Sequence, residues 1–347
     1  MPKILTGNKI LMFSLLISLV ILFLLDLFLG SVQIPFHSIL NILTNTVNEK
    51  ESWQIIILNN RLPKALAAIL CGAALSVSGL QMQTLFRNPL AGPYILGISA
   101  GAGLGVAIFI MGLSMFGISA NSLSFFGSYG IVISSFIGSL LVLLILLASI
   151  YRLKDMMTVL ILGIMLGSIT TAFISIIQYF SYDSQLKSFI MWTMGNLNSI
   201  SNTQLLVISP FLILGLVWSF LISKQLNLYL LGEDYAKTLG LNVKNFQLTV
   251  VVITALLTGL VTAYCGPIGF IGIIVPHLSR MLSKTSNHKI LIPLSILIGI
   301  NVLLFADIIS ILPNSDTILP INAITSFIGI PIIIWIIFKN KRITNVG

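Results

Sequence analysis

Three observations predict an all-α membrane protein, a bundle of about ten transmembrane spans: charge is scarce, the apolar runs are continuous, and the basic residues fall on one side. Hydrophobic residues fill 57% of the 347 positions and charged residues only 8%, where a soluble domain carries roughly a quarter charged residues. A helical span needs ~20 predominantly apolar residues, whereas the strands of a membrane barrel alternate polar and apolar over ~10. The runs here do not alternate, so helices are required.

The first run, Leu11 to Leu29, follows Lys3 and Lys9. It has the charge of a signal peptide, but it is too long for one and lacks an A-x-A cleavage site, so it is expected to remain as a first span near 10–30. Runs bounded by charge, proline or polar clusters place the others near 62–85, 94–116, 128–150, 157–180, 203–223, 247–264, 268–283, 290–311 and 321–338. Gly266-Pro267 leaves room only for a tight turn, so the seventh and eighth spans are expected to form a hairpin with that turn outside. No connecting loop exceeds ~30 residues, and the chain reads as a single transmembrane domain over 1–347 with no space for a soluble catalytic unit. A G-x-x-x-x-G-K phosphate loop is also missing from the sequence.

Ten spans with both termini in the cytoplasm leave 31–61, 117–127, 181–202, 265–267 and 312–320 outside. Fourteen of the 18 basic residues then lie inside, and only Lys50, Arg61, Lys64 and Lys187 outside. This is the bias expected of a membrane protein. The net charge of +9 is scattered over every inner loop instead of clustering on one face, so it records topology and not nucleic-acid binding. Cys71 and Cys265 lie in apolar stretches with no C-x-x-C spacing, and are expected to be packed free thiols. No metal site is expected.

Three clusters carry more information. The first begins Arg61-Leu62-Pro63-Lys64, where Pro63 suits a helix's first turn. It continues through Arg87-Asn88-Pro89-Leu90-Ala91-Gly92-Pro93, a helix-stopping inner turn, to Gly97, Gly101 and Gly105, whose four-residue spacing makes a smooth stripe for another helix. The second, Leu231 to Leu241, is polar and amphipathic, with Gly232 and Gly240 bracketing a helix of about two turns. The third runs from Gly266 through Gly269-Phe270-Ile271-Gly272 to Pro276-His277, with Ala306-Asp307 and Ile328-Gly329-Ile330-Pro331 beyond.

Taken together and in this order, the clusters resemble the FecCD-type permeases, the membrane subunits of bacterial ABC importers for iron-siderophore, haem and cobalamin. The resemblance implies a cobalamin-permease-like fold in the bacterial inner membrane. It also implies a homodimer of two permease copies, two ABC ATPase subunits below and a periplasmic or lipoprotein substrate-binding protein above. ATP and Mg would be used by the ATPase, with no cofactor on this chain, which is then a transport subunit and not an enzyme. By the family pattern Arg61 and Lys64 face acidic residues of the binding protein, unless they merely anchor a helix end at the headgroups. Ile311 stands where a third docking cation would fall, which leaves docking to fewer charges or to others such as Lys50 or Lys187. Residues 231–245 match the coupling loop, with Gly232, Glu233, Ala236, Leu239 and Gly240 against an ATPase groove; an amphipathic helix there could otherwise lie in the headgroups. Asn88 and Leu90 match the cytoplasmic gate, though a plain helix stop accounts for Asn88-Pro89 as well.

His277 is read as a hydrogen-bonded cap near an inner helix end and not as a ligand. Asp307 is an ionisable group at membrane depth, to be paired with a neighbouring helix or used in function. Asp26 is expected to snorkel to the interface. The leading expectation is a permease for an iron chelate, with cobalamin as the alternative cargo. An ion-coupled carrier would want midplane carboxylates at broken helices, and a membrane-embedded enzyme would want paired acids or an activated nucleophile; the spans offer almost none of these.

Overall fold

A computed structural model describes residues 2–44, 46, 49–113, 129–153, 155–311 and 318–344. The expected outer loop 117–127, the end of the third span and Lys154 lie outside the described residues. The architecture is all helical, and the only pairing of extended backbone among the described residues is an isolated bridge between Ile311 and Ile318. Seven helices are long and apolar enough to cross a membrane: α1 (Pro2–Phe28), α3 (Glu51–Leu85), α5 (Gly130–Arg152), α6 (Met156–Tyr179), α8 (Asn202–Leu221), α11 (Val243–Cys265) and α13 (His288–Ser310). Three shorter apolar helices, α4 (Ile98–Gly112), α12 (Ile271–Ser283) and α14 (Ile321–Thr344, apolar to Trp335), occupy the remaining expected spans. Between them lie α2 (Phe36–Thr44), α7 (Asp183–Thr193), α9 (Ser223–Leu230) and α10 (Glu233–Thr238), which are short and connect the spans.

α3 is the axis of the bundle. Its apolar window is 83% buried against 11% for α1 and 17% for α6, so α3 is clad on all sides by protein while the outer helices turn most of their apolar surface outward. Lipid tails are as apolar as leucine, and helix association in a membrane therefore depends on close van der Waals approach through small residues. α3 meets α13 where Gly72 and Gly299 face each other, a Cβ on Gly72 falling 2.5 Å from the Gly299 carbonyl oxygen. About two turns further on, a Cβ on Gly79 would overlap the Gly272 carbonyl of α12. Gly101 and Gly105 of α4 press in the same way on Gly138 and Ser134 of α5.

One feature corrects the sequence expectation. The hairpin turn between α11 and α12 is buried in the bundle: Gly266 is buried, and Cys265 Sγ lies 3.4 Å from Cys71 Sγ, which is roughly 10 Å along α3 from Lys64 at 1.5 Å per residue. α12, with 13 residues, is about 20 Å long and cannot span the ~30 Å hydrocarbon core alone. Irregular backbone at that depth must have its polar groups satisfied. Tyr94 Oη accepts from Ile268 N at 3.0 Å, and Asn322 Oδ1 accepts from Gly269 N at 3.0 Å. The sequence distance that made the two cysteines look unrelated is closed by this turn; both are free thiols.

Candidate functional site

Arg61 and Lys64 begin the membrane part of α3, and the structure turns both inward. The Arg61 guanidinium donates to Leu27 O at 2.7 Å, Phe28 O at 3.0 Å and Val32 O at 2.5 Å. It thereby satisfies carbonyls that α1 leaves unpaired at its C-terminus and complements the negative end of that helix's dipole. Lys64 Nζ sits 3.0 Å from Asp307 Oδ2 on α13 and 3.8 Å from Asp26 Oδ1 on α1. The two cations are 8% and 6% exposed. Neither presents charge at the surface, so the expected outward-facing docking role does not describe what these side chains do in the protomer. Nor do they anchor in headgroups. Asp26 is buried too and does not snorkel, because Lys64 stands beside it. Asp307 pairs with a neighbouring helix. Lys50 and Lys187 are exposed, Lys50 with its ammonium 4.7 Å from the Trp53 ring centroid. Ile311 follows the end of α13 as its C-cap.

At the other end of α3 the chain makes the turn that holds Asn88 and Leu90. Asn88 Oδ1 accepts from Leu90 N at 2.9 Å, which tightens the turn and leaves the Leu90 side chain exposed. Leu90 borders a cavity of about 300 Å³ shared with Pro93, Phe270 and Ile273. Tyr94 and Ile95 line both that cavity and a second, open groove of about 530 Å³ along Gly97, Ala100, Gly163, Gly167, Ser168 and Thr171. Gly97, at φ 74°, approaches the Gly163 carbonyl. The groove walls carry small side chains, hydroxyls and the apolar Ile95 and Ile164, and no charge. They form a smooth neutral surface suited to passage and not to tight capture.

The stretch 231–245 folds as expected into a short helix between left-handed glycines, Gly232 at φ 120° and Gly240 at φ 86°. Its faces differ from the expected assignment. Ala236 is fully buried within the protomer, while Leu231, Tyr235 and Leu239 are 60%, 58% and 51% exposed. A six-residue helix is too short for its sequence periodicity to say which side faces in. Glu233 is half-buried and accepts from Tyr229 Oη at 2.7 Å. Burial, and then this bond to Glu233, push the Tyr229 hydroxyl above its usual range, so it remains a donor at neutral pH.

Sequence reading missed Tyr229. It also missed the contacts of Arg87, which lies over the Tyr229 ring with its guanidinium carbon 5.2 Å from the centroid. His277 lies inside α12, ahead of its end at Ser283, and does not cap it. The helix's basic end is held instead by Arg280, which donates to Gln83 on α3. No group of three or more His, Cys, Asp or Glu that could hold a metal occurs among the described residues.

The FecCD transport family matches residues 18–339. The hemin transport system permease protein HmuU of Yersinia pestis is 37% identical over 330 residues, 94% of this chain and 95% of that protein. The vitamin B12 import system permease protein BtuC of Klebsiella pneumoniae is 37% identical over 290 residues, 83% of this chain and 82% of that protein. A solved metal-chelate type ABC transporter in an inward-facing conformation superposes with a TM-score of 0.82 at 29% identity, covering 95% of this chain and 99% of the other. The chain belongs to the FecCD transport family, as an ABC-transporter permease subunit and not an enzyme.

Proposed function

We propose that this chain is the permease of a binding-protein-dependent importer for an iron chelate, a siderophore complex or haem, working by alternating access as a dimer of two copies. The observation that carries the reading is the neutral groove that reaches Thr171, next to the cavity bordered by Leu90, the two sharing Tyr94 and Ile95. It lies open on one side of the protomer, as half of a path that a second copy would complete. A bulky chelate passes most readily along a surface that binds it weakly, and affinity then belongs to the binding protein. Cobalamin is the second reading, because the vitamin B12 relative matches at the same 37% identity as the hemin relative, over 290 residues against 330. The exposed apolar residues Leu231, Tyr235 and Leu239 on an otherwise polar loop supply a surface for an ATPase groove. Lys50 and Lys187, exposed at the opposite end, are the cations left to meet an acidic binding protein.

An ion-coupled carrier is disfavoured on a specific ground: the acids at membrane depth, Asp26 and Asp307, are held by Lys64 and line neither groove. The test is reconstitution in liposomes with the ATPase and the binding protein. Haem, a ferric siderophore and cobalamin are offered separately, and uptake is followed with and without ATP and with a protonophore. ATP-driven, protonophore-insensitive uptake of one of the two iron chelates is the expected result. ATP-driven uptake of cobalamin alone moves the assignment to the second reading. Uptake by the chain alone, abolished by the protonophore, overturns the importer assignment.

A further inference from the structure

We infer that Tyr229 is a positioning residue that locks the Gly232 hinge and so transmits movement of α10 to the turn carrying Leu90; this rests on the importer reading above. Three features of the basic end support it. First, α9 and α10 are separated by Leu231 and Gly232, and Gly232, at φ 120°, has no atom within 4 Å of where a Cβ would lie. A glycine in that conformation, with open space around it, is a point about which a six-residue helix can pivot. A pivot there would absorb any displacement imposed on α10 from below.

Second, one set of bonds spans the pivot. Tyr229 Oη donates to Glu233 Oε1 at 2.7 Å, and Gln247 Nε2 of α11 donates to Tyr229 Oη at 3.3 Å and to Glu233 Oε1 at 3.4 Å. The ring cannot swing to release them. Tyr229 is 1% exposed and packs on Phe246 with centroids 5.1 Å apart. The hydroxyl therefore joins the end of α9, the start of α10 and the first turns of α11 at one point.

Third, α9 is fixed to the end of α3 at two places. Arg87 Nη2 donates to Tyr229 O at 3.2 Å and its guanidinium covers the ring; Arg87 itself has φ 47°, an uncommon conformation for a residue with a side chain. Two residues before Tyr229, Asn227 Oδ1 accepts from His288 N at 2.9 Å and lies 2.8 Å from His288 Nδ1. His288 Nε2 in turn lies 2.8 Å from Thr84 Oγ1, one turn before Arg87. Asn227 Nδ2 also donates to Asn287 Oδ1 at 2.9 Å. Arg87 is the immediate neighbour of Asn88, whose carboxamide shapes the turn bearing Leu90. From Glu233 to Leu90 the path is continuous, and its soft joint at Gly232 is bridged by the Tyr229 hydroxyl.

The test uses the full complex of permease, ATPase and binding protein in liposomes, with chelate uptake and ATP hydrolysis measured together. Tyr229→Phe keeps the ring, its packing on Phe246 and the carbonyl that Arg87 reaches, and removes only the bridge. The expected result is ATP hydrolysis within about twofold of the parent, with chelate taken up per ATP falling about tenfold. Glu233→Gln, which keeps an oxygen to accept from the hydroxyl, should retain more uptake per ATP than Glu233→Ala. Combining Tyr229→Phe with Glu233→Ala should cost less than the sum of the two single variants, because both break the Tyr229–Glu233 bond.

A Tyr229→Phe complex with parental uptake per ATP overturns the relay and leaves the importer reading standing. So does a loss of uptake matched by loss of bound ATPase, which would make Tyr229 a structural residue only. No ATP-driven uptake in the parent overturns the importer reading, and the relay with it.

Discussion

Lys64 stands between two buried carboxylates, and replacing it by methionine tests whether that charge cluster holds α1, α3 and α13 together. With Nζ 3.0 Å from Asp307 Oδ2 and 3.8 Å from Asp26 Oδ1, the attractions are about 5 and about 4 kcal/mol at an effective dielectric constant near 20. Most of this offsets the cost of taking the charged groups of the cluster out of water. Removing the cation leaves the carboxylates uncompensated and close to each other, and breaking a buried pair in this way costs about 3–5 kcal/mol. At the specific unfolding entropy of globular proteins, a 347-residue chain would then melt at least about 4 °C lower. Spans that stay helical in detergent lower that entropy and enlarge the shift. Thermal loss of the monodisperse protein in detergent, read by size exclusion at a fixed heating rate because such unfolding is irreversible, is the assay. Adding Asp26→Asn and Asp307→Asn to Lys64→Met should recover at least half of the loss. A Lys64→Met melting point within about 1 °C of the parent refutes the ion-pair account. A triple variant no better than the single one places the loss in the packing of the lysine stem.

Arg61→Lys keeps the charge but cannot reach Leu27 O, Phe28 O and Val32 O together, because an ammonium lacks the planar fork; about 1–3 kcal/mol should be lost, seen as a lower melting point with ATPase binding unchanged. Gly79→Val places a branched side chain against the Gly272 carbonyl, which should prise α12 from α3 and leave little monodisperse protein, whereas Gly7→Val, with open space around it, should be harmless. The orientation set by the basic residues predicts that a cysteine at Asn198, exposed in the structure, reacts with an impermeant thiol reagent from outside the cell, and that one at the equally exposed Ser286 does not; the reverse pattern inverts the topology.

The spans were legible because a bilayer demands long apolar stretches, and Gly101 and Gly105 were legible because a helix stripe repeats every three or four residues. The charge cluster was not. Asp26, Lys64 and Asp307 belong to three helices far apart in sequence, and each alone reads as an interfacial charge. Hydropathy also has no means of reporting how deep a Gly-Pro turn sits, so the turn after Cys265 reads as an outer loop until Cys71, Tyr94 and Asn322 are seen around it. Tyr229 was hidden for the same reason as the inward face of Ala236: both lie in helices of eight residues or fewer, where tertiary contacts and not periodicity decide what is buried.

The two ends of α3 are built differently, and the difference bears on where work enters the protein. At the Lys64 end, a cation flanked by two acids and a guanidinium on three carbonyls fix α1, α3 and α13 with buried charge. Interactions of that kind have few alternative arrangements, since separating any pair leaves an unpaired charge at membrane depth. At the Arg87 end, the helices meet through hydrogen bonds with at most one charged partner, ring contacts and an exposed arginine, which can be exchanged for other partners or water at smaller cost than a buried ion pair. A bundle with one rigid end and one end that can repack has its two conformations differ mainly at the repacking end. That end carries the exposed apolar face of α10 and the turn bearing Leu90, so force applied to α10 acts where the structure can yield.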